Sequence, residues 1–407
     1  MPDHHARLHD DTLATKVTPD VDPSTDTADA DPSHAEPQFR VGIVCPYDLS
    51  VPGGVQSHVC DVVTALLARD VDVHVLAPVS DPAAVGRRFS GWPAWLTNAG
   101  TARGVNINGS TAPVRIALGQ RALVANWLQR TGVQIVHVHE PFVPALARPA
   151  VHSAWRADIP VVGTFHAHVE SAALLRLASP WLRQTLTKIK TVIAVSDAAA
   201  ATARTLKPTI PITVIPNPVA VAAFKRAVIP KPGPGRESGQ ILFLGRGDEP
   251  RKGLDDLLTA WPLIRASRPH AQLLVAGRMT RTDLPSGVQQ LGEVTDADKP
   301  GVFANADVYV APNRGGESMG IVLVEAMASG TAVVATDLPA FVAVSQNTAA
   351  RHVPVRDPIS LAAAVVAVLD DESLRTELVA AGLRRADDFD VVAVTDALLD
   401  VFVECLL

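Results

Sequence analysis

The chain has 407 residues, 47% of them hydrophobic and 19% charged, with a formal net charge of −6; that is enough apolar material for two domains of ordinary size. Residues 1–38 hold nine acidic and two basic residues, a net of −7, which leaves +1 for the rest; a near-neutral body makes no general case for nucleic acid as a partner. The sequence has no run of about 18 apolar residues, which excludes a helical membrane span, and its acidic first segment is unlike a signal peptide.

By composition, residues 1–38 are expected to form a disordered tail. Cys45, Cys60 and Cys405 have neither metal nor disulfide spacing, as expected in a reducing cytoplasm. Arg40–Pro46 reads as a buried first strand, and Tyr47–Gly54 as a loop closed by the tight turn Pro52-Gly53-Gly54. Val55–Ala68 reads as a helix with Val55, Val59, Val62, Leu66 and Leu67 on one face. Val71–Ala77 is the next strand, and this order opens a doubly wound α/β domain. Gly54 at a helix start suits phosphate or a sugar, although a Gly-Gly pair is also an ordinary turn. Residues 80–118 read as irregular. Further strands are expected at Val133–His137, Val161–Phe165, Val192–Val195 and Ile212–Ile215, with a helix over Trp181–Ile189. Pro216–Gly239, rich in Pro and Gly, reads as a linker. Beyond it, strands are expected at Gln240–Leu244, Gln272–Val275, near Gln289, at Val308–Ala311, at Thr331–Thr336 and around His352. Residues 372–407 read as helical. The domains are drawn at 39–218 and 219–385.

Two stretches of the second half carry chemistry. In Asn313–Gly330, Gly315, Gly316 and Gly320 let backbone approach a ligand. Ser318 is expected to cap a helix from Ile321 to Met327, with Gly330 as its stop. A helix start presents unpaired N–H groups that suit phosphate. Glu317 lies in the loop, and Glu325 about two turns along the helix. In Ile241–Gly253 an apolar strand ends in a Gly-rich turn bearing Arg246, Arg251 and Lys252. Ligands of parallel sheets bind at that end, and cations there would neutralise a diphosphate. Each residue also has a plainer reading. Arg246, Arg251 and Lys252 could be solvated surface charges, and Glu325 a helix-surface residue. Asp296 and Lys299 could form a solvated turn, and His166, at a strand end, could be structural. The pairs Asp70/Asp72 and Asp296/Asp298 are not both at strand ends, so no catalytic metal is expected. Cations and helix N-termini would stabilise a leaving diphosphate instead.

The spacing Glu317-x7-Glu325 with Gly245-Arg246 and Lys252 upstream resembles the retaining family-four glycosyltransferases of GT-B fold. With Val44–His58, Thr164-Phe165-His166, Ile193–Asp197, Asp248–Gly253 and Gly315–Ser318, the chain is similar to the actinobacterial phosphatidylinositol mannosyltransferases from about Arg40 to about Leu399. The resemblance implies two Rossmann-like domains facing across a cleft, with helices from about 386 to 407 returning to the first. It implies transfer of mannose from GDP-mannose to phosphatidyl-myo-inositol, with retention, by a cytoplasmic protein peripheral on the inner face of the plasma membrane. His166, Glu317, Arg246 and Lys252 would be catalytic. Gly54, Arg246, Arg251, Lys252, Glu317, Ser318, Met319, Gly320 and Ile321 would bind the donor, with Asp296 and Lys299 at the guanine and Glu325 at the ribose. Tyr47, Gln56, Asn108 and Ser110 would face the acceptor. No cofactor or essential metal is implied. The acceptor half departs from the family: Pro113 replaces an Arg, Ser171 replaces a Lys, and the helix Gln120–Trp127 keeps one cation, Arg121. A soluble acceptor, a sugar-nucleotide epimerase and an inactive sugar-nucleotide-binding scaffold remain as alternatives.

Overall fold

The computed structural model describes residues 39–51, 53–107, 110–114, 119–144, 146–166, 182–206, 211–227, 239–317 and 319–407, with backbone alone over 103–107 and 110–114. The tail 1–38, Asn108, Ser171 and Ser318 lie outside the described residues.

The first half forms strands β1 (Arg40–Val44), β2 (Asp72–Ala77), β3 (Leu96–Asn98), β4 (Arg103–Ile107), β5 (Ser110–Val114), β6 (Ile135–His139), β7 (Val161–Phe165), β8 (Thr191–Ala194) and β9 (Ile212–Val214). Seven of them make one sheet in the order β3-β2-β1-β6-β7-β8-β9, while β4 and β5 pair as a separate hairpin. The second half forms β10 (Gln240–Leu244), β11 (Gln272–Ala276), β12 (Val288–Gly292), β13 (Val308–Ala311), β14 (Ala332–Thr336) and β15 (Arg351–Val353). These make a six-stranded sheet in the order β12-β11-β10-β13-β14-β15. Pairing is parallel throughout both sheets. Helices cover parallel strands on both faces, which is why β6, β7, β13 and β14 are unbroken buried runs rather than alternating ones.

Three expectations need correction. Residues 80–118 are not irregular: the helix Pro82–Phe89 starts where Asp81 accepts the N–H groups of Ala83 and Ala84 at 2.9 and 3.1 Å, and β3 and the hairpin follow. An Asp-Pro pair is itself a helix-start signal, obscured here by the Gly and Trp residues after it. Strand β6 is shifted two residues on, so His137 and His139 lie inside it. The Pro/Gly stretch is not all linker, because Val219, Val221 and Phe224 are buried in the second domain's core and residues Val221–Arg226 are helical.

The chain crosses between the sheets twice at one place. The Val219 N–H donates to Phe389 O and the Val391 N–H to Val219 O, both at 2.9 Å. Past that crossing, the helix Val391–Leu406 buries Val394, Leu398, Phe402 and Cys405 in the first core. Phe402 meets Phe39 edge-on at 6.4 Å, and Lys190 Nζ donates to Cys405 O at 2.8 Å. Burying a Leu or Phe side chain stabilises by roughly 1.5–3 kcal/mol, so this helix is integral to the first domain. Among the described residues no helix is long and apolar enough to cross a membrane.

Polar groups are built into that core as well. His58 on the helix Gly54–Leu67, His137 and His139 on β6, and His166 just past β7 are all buried. His139 Nδ1 and His166 Nε2 stand 2.9 Å apart, His137 Nε2 is 2.6 Å from Thr164 Oγ1, and the His166 N–H donates to Glu140 Oε1 at 2.8 Å. The His58 ring stands edge-on to His166 at 4.6 Å and to His139 at 5.2 Å. His58 Nδ1, His137 Nδ1 and His139 Nε2 have no hydrogen-bond partner among the described residues. Each unmet buried polar atom costs on the order of 1–3 kcal/mol.

Burial pushes all four imidazoles toward neutrality: His58 down to about 4, His137 to about 3, and His139 and His166 well below their ordinary value. The unfolded chain therefore binds more protons than the native one below about pH 6.5. The stability the neutral rings contribute is fully present above that pH and is lost as pH falls toward the folded values. The slope approaches about 1.4 kcal/mol per histidine per pH unit. The melting temperature, followed by circular dichroism, should drop steeply between about pH 6.5 and pH 4, and His58→Phe should flatten the drop. A melting temperature unchanged from neutral pH to pH 5 would refute this account.

Candidate functional site

The C-terminal ends of β10 and β13 bring the two chemical stretches together. A single turn of 3-10 helix, Pro250–Lys252, leads into Gly253 at φ 73°. A Cβ there would lie 1.8 Å from Pro312 O, so only glycine lets the two loops approach this closely. The contact is then locked. The Arg314 N–H donates to Arg251 O at 2.7 Å, and the Arg314 guanidinium grips Asp256 with two bonds of 2.8 and 2.7 Å. Asp256 lies in the first turn of the helix Leu254–Ser267, where a carboxylate is also favoured by the helix dipole.

This loop contact gathers Glu317 with its cations. Lys252 Nζ, Arg251 Nη1 and Asn313 Nδ2 all converge on Glu317 Oε1, at 2.5, 3.1 and 2.7 Å. Thr336 Oγ1 donates to Asn313 O at 2.7 Å and so orients Asn313 from the end of β14. Arg246 is half exposed and pairs with Glu249 at 2.8 Å, and Arg251 also reaches Glu249 at 3.0 Å. Three cations face two carboxylates here. The patch keeps a positive excess at the sheet end where anionic ligands bind.

The helix start beside it differs from the sequence reading. The helix runs Ile321–Ala328, and its cap position is Gly320, at φ 90°, rather than Ser318. A Cβ on Gly320 would lie 2.7 Å from Phe341 Cδ1, so packing against Phe341 sets where the helix begins. Met319 is buried, and its sulfur accepts the Asn217 N–H at 3.2 Å. Ile321 is the first helical residue, and in the first turn the Leu323 N–H already donates to Gly320 O at 2.9 Å. Gly330, at φ 65°, follows the helix end as a left-handed residue.

Glu325 and Lys299 form a second cluster. Glu325 is buried rather than on the helix surface, and Lys299 Nζ bridges it at 3.0 Å to Asp296 at 2.9 Å. Burial raises the Glu325 carboxyl pKa, and Lys299 pulls it back. Burial also works against the Lys299 ammonium, but Glu325 and Asp296 outweigh it and the pKa rises. Glu325 Oε2 has no partner among the described residues.

The first domain answers this cluster from across the cleft. Arg88 lies 3.8 Å from Asp296. Burial, opposed by Arg88 and helped by Asp296 and Glu325, pushes Asp61 up to about 6. The sequence reading missed Asp61, Arg88, Asn313 and the Arg314–Asp256 pair. Only Asn313, next to the Gly-rich loop, and Asp256, just inside a helix start, carried a local signal.

The other expected residues are gathered in part. A Cβ on Gly54 would meet nothing within 4 Å, so space is open at that helix start. His166 is buried with its ring against His139. Tyr47 is half buried, and burial, with Glu140 nearby, pushes its phenol up. Gln56 turns inward, its Nε2 3.4 Å from Asp48 O, and braces its own loop. Ser110 opens β5, and Asn108 is outside the described residues.

Residues 52–223 match the model of Glycosyltransferase Family 4, and residues 238–371 that of Glycosyl transferases group 1. The chain is 39% identical over 372 residues to a phosphatidyl-myo-inositol mannosyltransferase of Mycolicibacterium smegmatis, covering 89% of this chain and 93% of that one. It is 38% identical over 376 residues to the protein of that name from Mycobacterium tuberculosis, covering 89% and 96%. A crystal structure of a glycosyltransferase from Rickettsia africae superposes with a TM-score of 0.71 at 18% identity, covering 91% of this chain and 99% of that one, which bears on fold alone. Two parallel-sheet domains of GT-B type, family models over both halves, and this identity along most of the chain lead to one assignment: the chain belongs to the family-4 glycosyltransferases, among the phosphatidyl-myo-inositol mannosyltransferases.

Proposed function

We propose that this glycosyltransferase moves mannose from GDP-mannose to the inositol ring of phosphatidylinositol, with retention at the anomeric carbon. The observation that carries the reading is the convergence of Arg251, Lys252 and Asn313 on Glu317 beside the start of the helix Ile321–Ala328, in a chain 39% identical to a protein of that name. The donor diphosphate would take the cations, and Glu317, released from them, would turn to the sugar hydroxyls. Glu325 and Lys299 lie farther along, where a ribose and a purine would reach. The acceptor hydroxyl attacks the anomeric carbon on the face the diphosphate leaves. A carbon–oxygen bond forms there as the bond to the phosphate oxygen breaks, and that oxygen takes the proton, so no protein base is needed. His166 would support the sugar or the developing charge from the first domain, through its ring or the nearby backbone. The protein would work in the cytoplasm, peripheral on the inner face of the plasma membrane.

A soluble acceptor is a second reading, favoured by Pro113 and Ser171 and by the helix Gln120–Thr131, whose first two turns carry Arg121 as the lone cation. Missing cations weaken attraction to anionic lipid by about 1 kcal/mol each.

Arg246→Ala and Lys252→Ala should each weaken GDP binding, measured by calorimetry, by roughly 1.5–3 kcal/mol. Unchanged affinity in both would move the nucleotide elsewhere. Because cations stand where other transferases use a metal, transfer should continue in excess chelator. Activity abolished by chelator and restored by magnesium or manganese would overturn that. Finally, the enzyme should mannosylate phosphatidylinositol in mixed micelles with shallow dependence on anionic lipid, and Pro113→Arg with Ser171→Lys should steepen it. If GDP-mannose is consumed but phosphatidylinositol is ignored under every lipid condition, the soluble acceptor takes its place.

A further inference from the structure

We infer that His58, His139 and His166 form a binding site for one divalent transition-metal ion of the zinc, cobalt or nickel class. One ring nitrogen from each lies within 4.8 Å of the other two, and all three side chains are buried. Imidazole nitrogens select such ions, whereas magnesium and manganese prefer oxygen. Glu140 Oε1 already accepts the backbone N–H of His166 at 2.8 Å. Three histidines leave a fourth position for water or another donor. The Asn217 side chain lies beside His58 and His166, and its Oδ1 has no partner among the described residues.

The fit needs little rearrangement. A tetrahedral ion about 2.0–2.1 Å from each nitrogen sets them about 3.3 Å apart. His139 Nδ1 and His166 Nε2 are already 2.9 Å apart, so the His58 ring makes most of the inward turn. A single proton now lies between those two nitrogens. It leaves for the other nitrogen of the ring that carries it, so each neutral ring presents a lone pair and no proton is released overall. If that ring is His139, the proton goes to Nε2, which is otherwise unpartnered.

The test uses the full chain with His4, His5, His9 and His34 changed to Ala, since those tail residues would bind metal on their own. After stripping with chelator, the protein is titrated with cobalt(II) and followed by visible absorption, then challenged with zinc. One equivalent of cobalt should bind with tetrahedral d–d bands, and zinc should displace it. His58→Phe, which keeps a ring in the core, should weaken binding by more than about tenfold. On the unsubstituted cluster, zinc should shift the imidazole nitrogen resonances of three histidines in nitrogen-15 spectra, a readout that does not depend on any variant folding. Absence of stoichiometric uptake, affinity unchanged in His58→Phe, or zinc uptake without those shifts would each overturn the site.

Discussion

Lys252, Arg251 and Asn313 belong to two separate loops, and they meet on one oxygen, Glu317 Oε1. They meet because Gly253 lies against the Pro312 carbonyl, where any side chain would collide. Charge-assisted hydrogen bonds are about twice as strong as neutral ones, so the site is held in its charged arrangement without a ligand. A diphosphate bound as proposed would exchange one set of such bonds for another. Arg251 and Lys252 are already partly buried and positioned, which would spare part of the ordering that binding otherwise requires.

Much of this architecture was legible in the sequence because buried parallel strands are continuous apolar runs, as in Ile241–Leu244 and Val308–Ala311. The glycines and charges of the donor loops were legible for the same reason: they follow such strands. What could not be read was which partners they take. Glu325 read as either a helix-surface residue or a ribose contact, and its pairing with Lys299 showed only in the fold. The start of its helix was set by Phe341, twenty residues away, and not by the local capping preference of Ser318. The shift of β6 hid the histidines as well. A strand ending at His137 leaves His139 in a loop, whereas the observed register buries both.

The second domain holds paired charges at the cleft, whereas the imidazoles of the first lie buried in its core, where burial keeps them unprotonated. Asp61 and Arg88 carry charge from the first domain toward the Asp296–Lys299–Glu325 cluster. The charge of that cluster is therefore shared between the two domains.

The helix Val391–Leu406 makes the second domain, topologically, an insertion within the first. Phe39, one of the earliest core residues, packs against Phe402, and between them in the chain lies nearly all the rest of the protein. On the ribosome, the first domain emerges with its core open on one side. The second domain, whose strands and helices are contiguous, has all its residues out of the exit tunnel before that opening can close. Synthesis therefore imposes an order of completion opposite to the order of sequence. Val59, Val63 and Leu66, which share that core with Val391–Leu406, lack this cover until that helix has been made, so a nascent chain presents a long-lived sticky surface on its first domain.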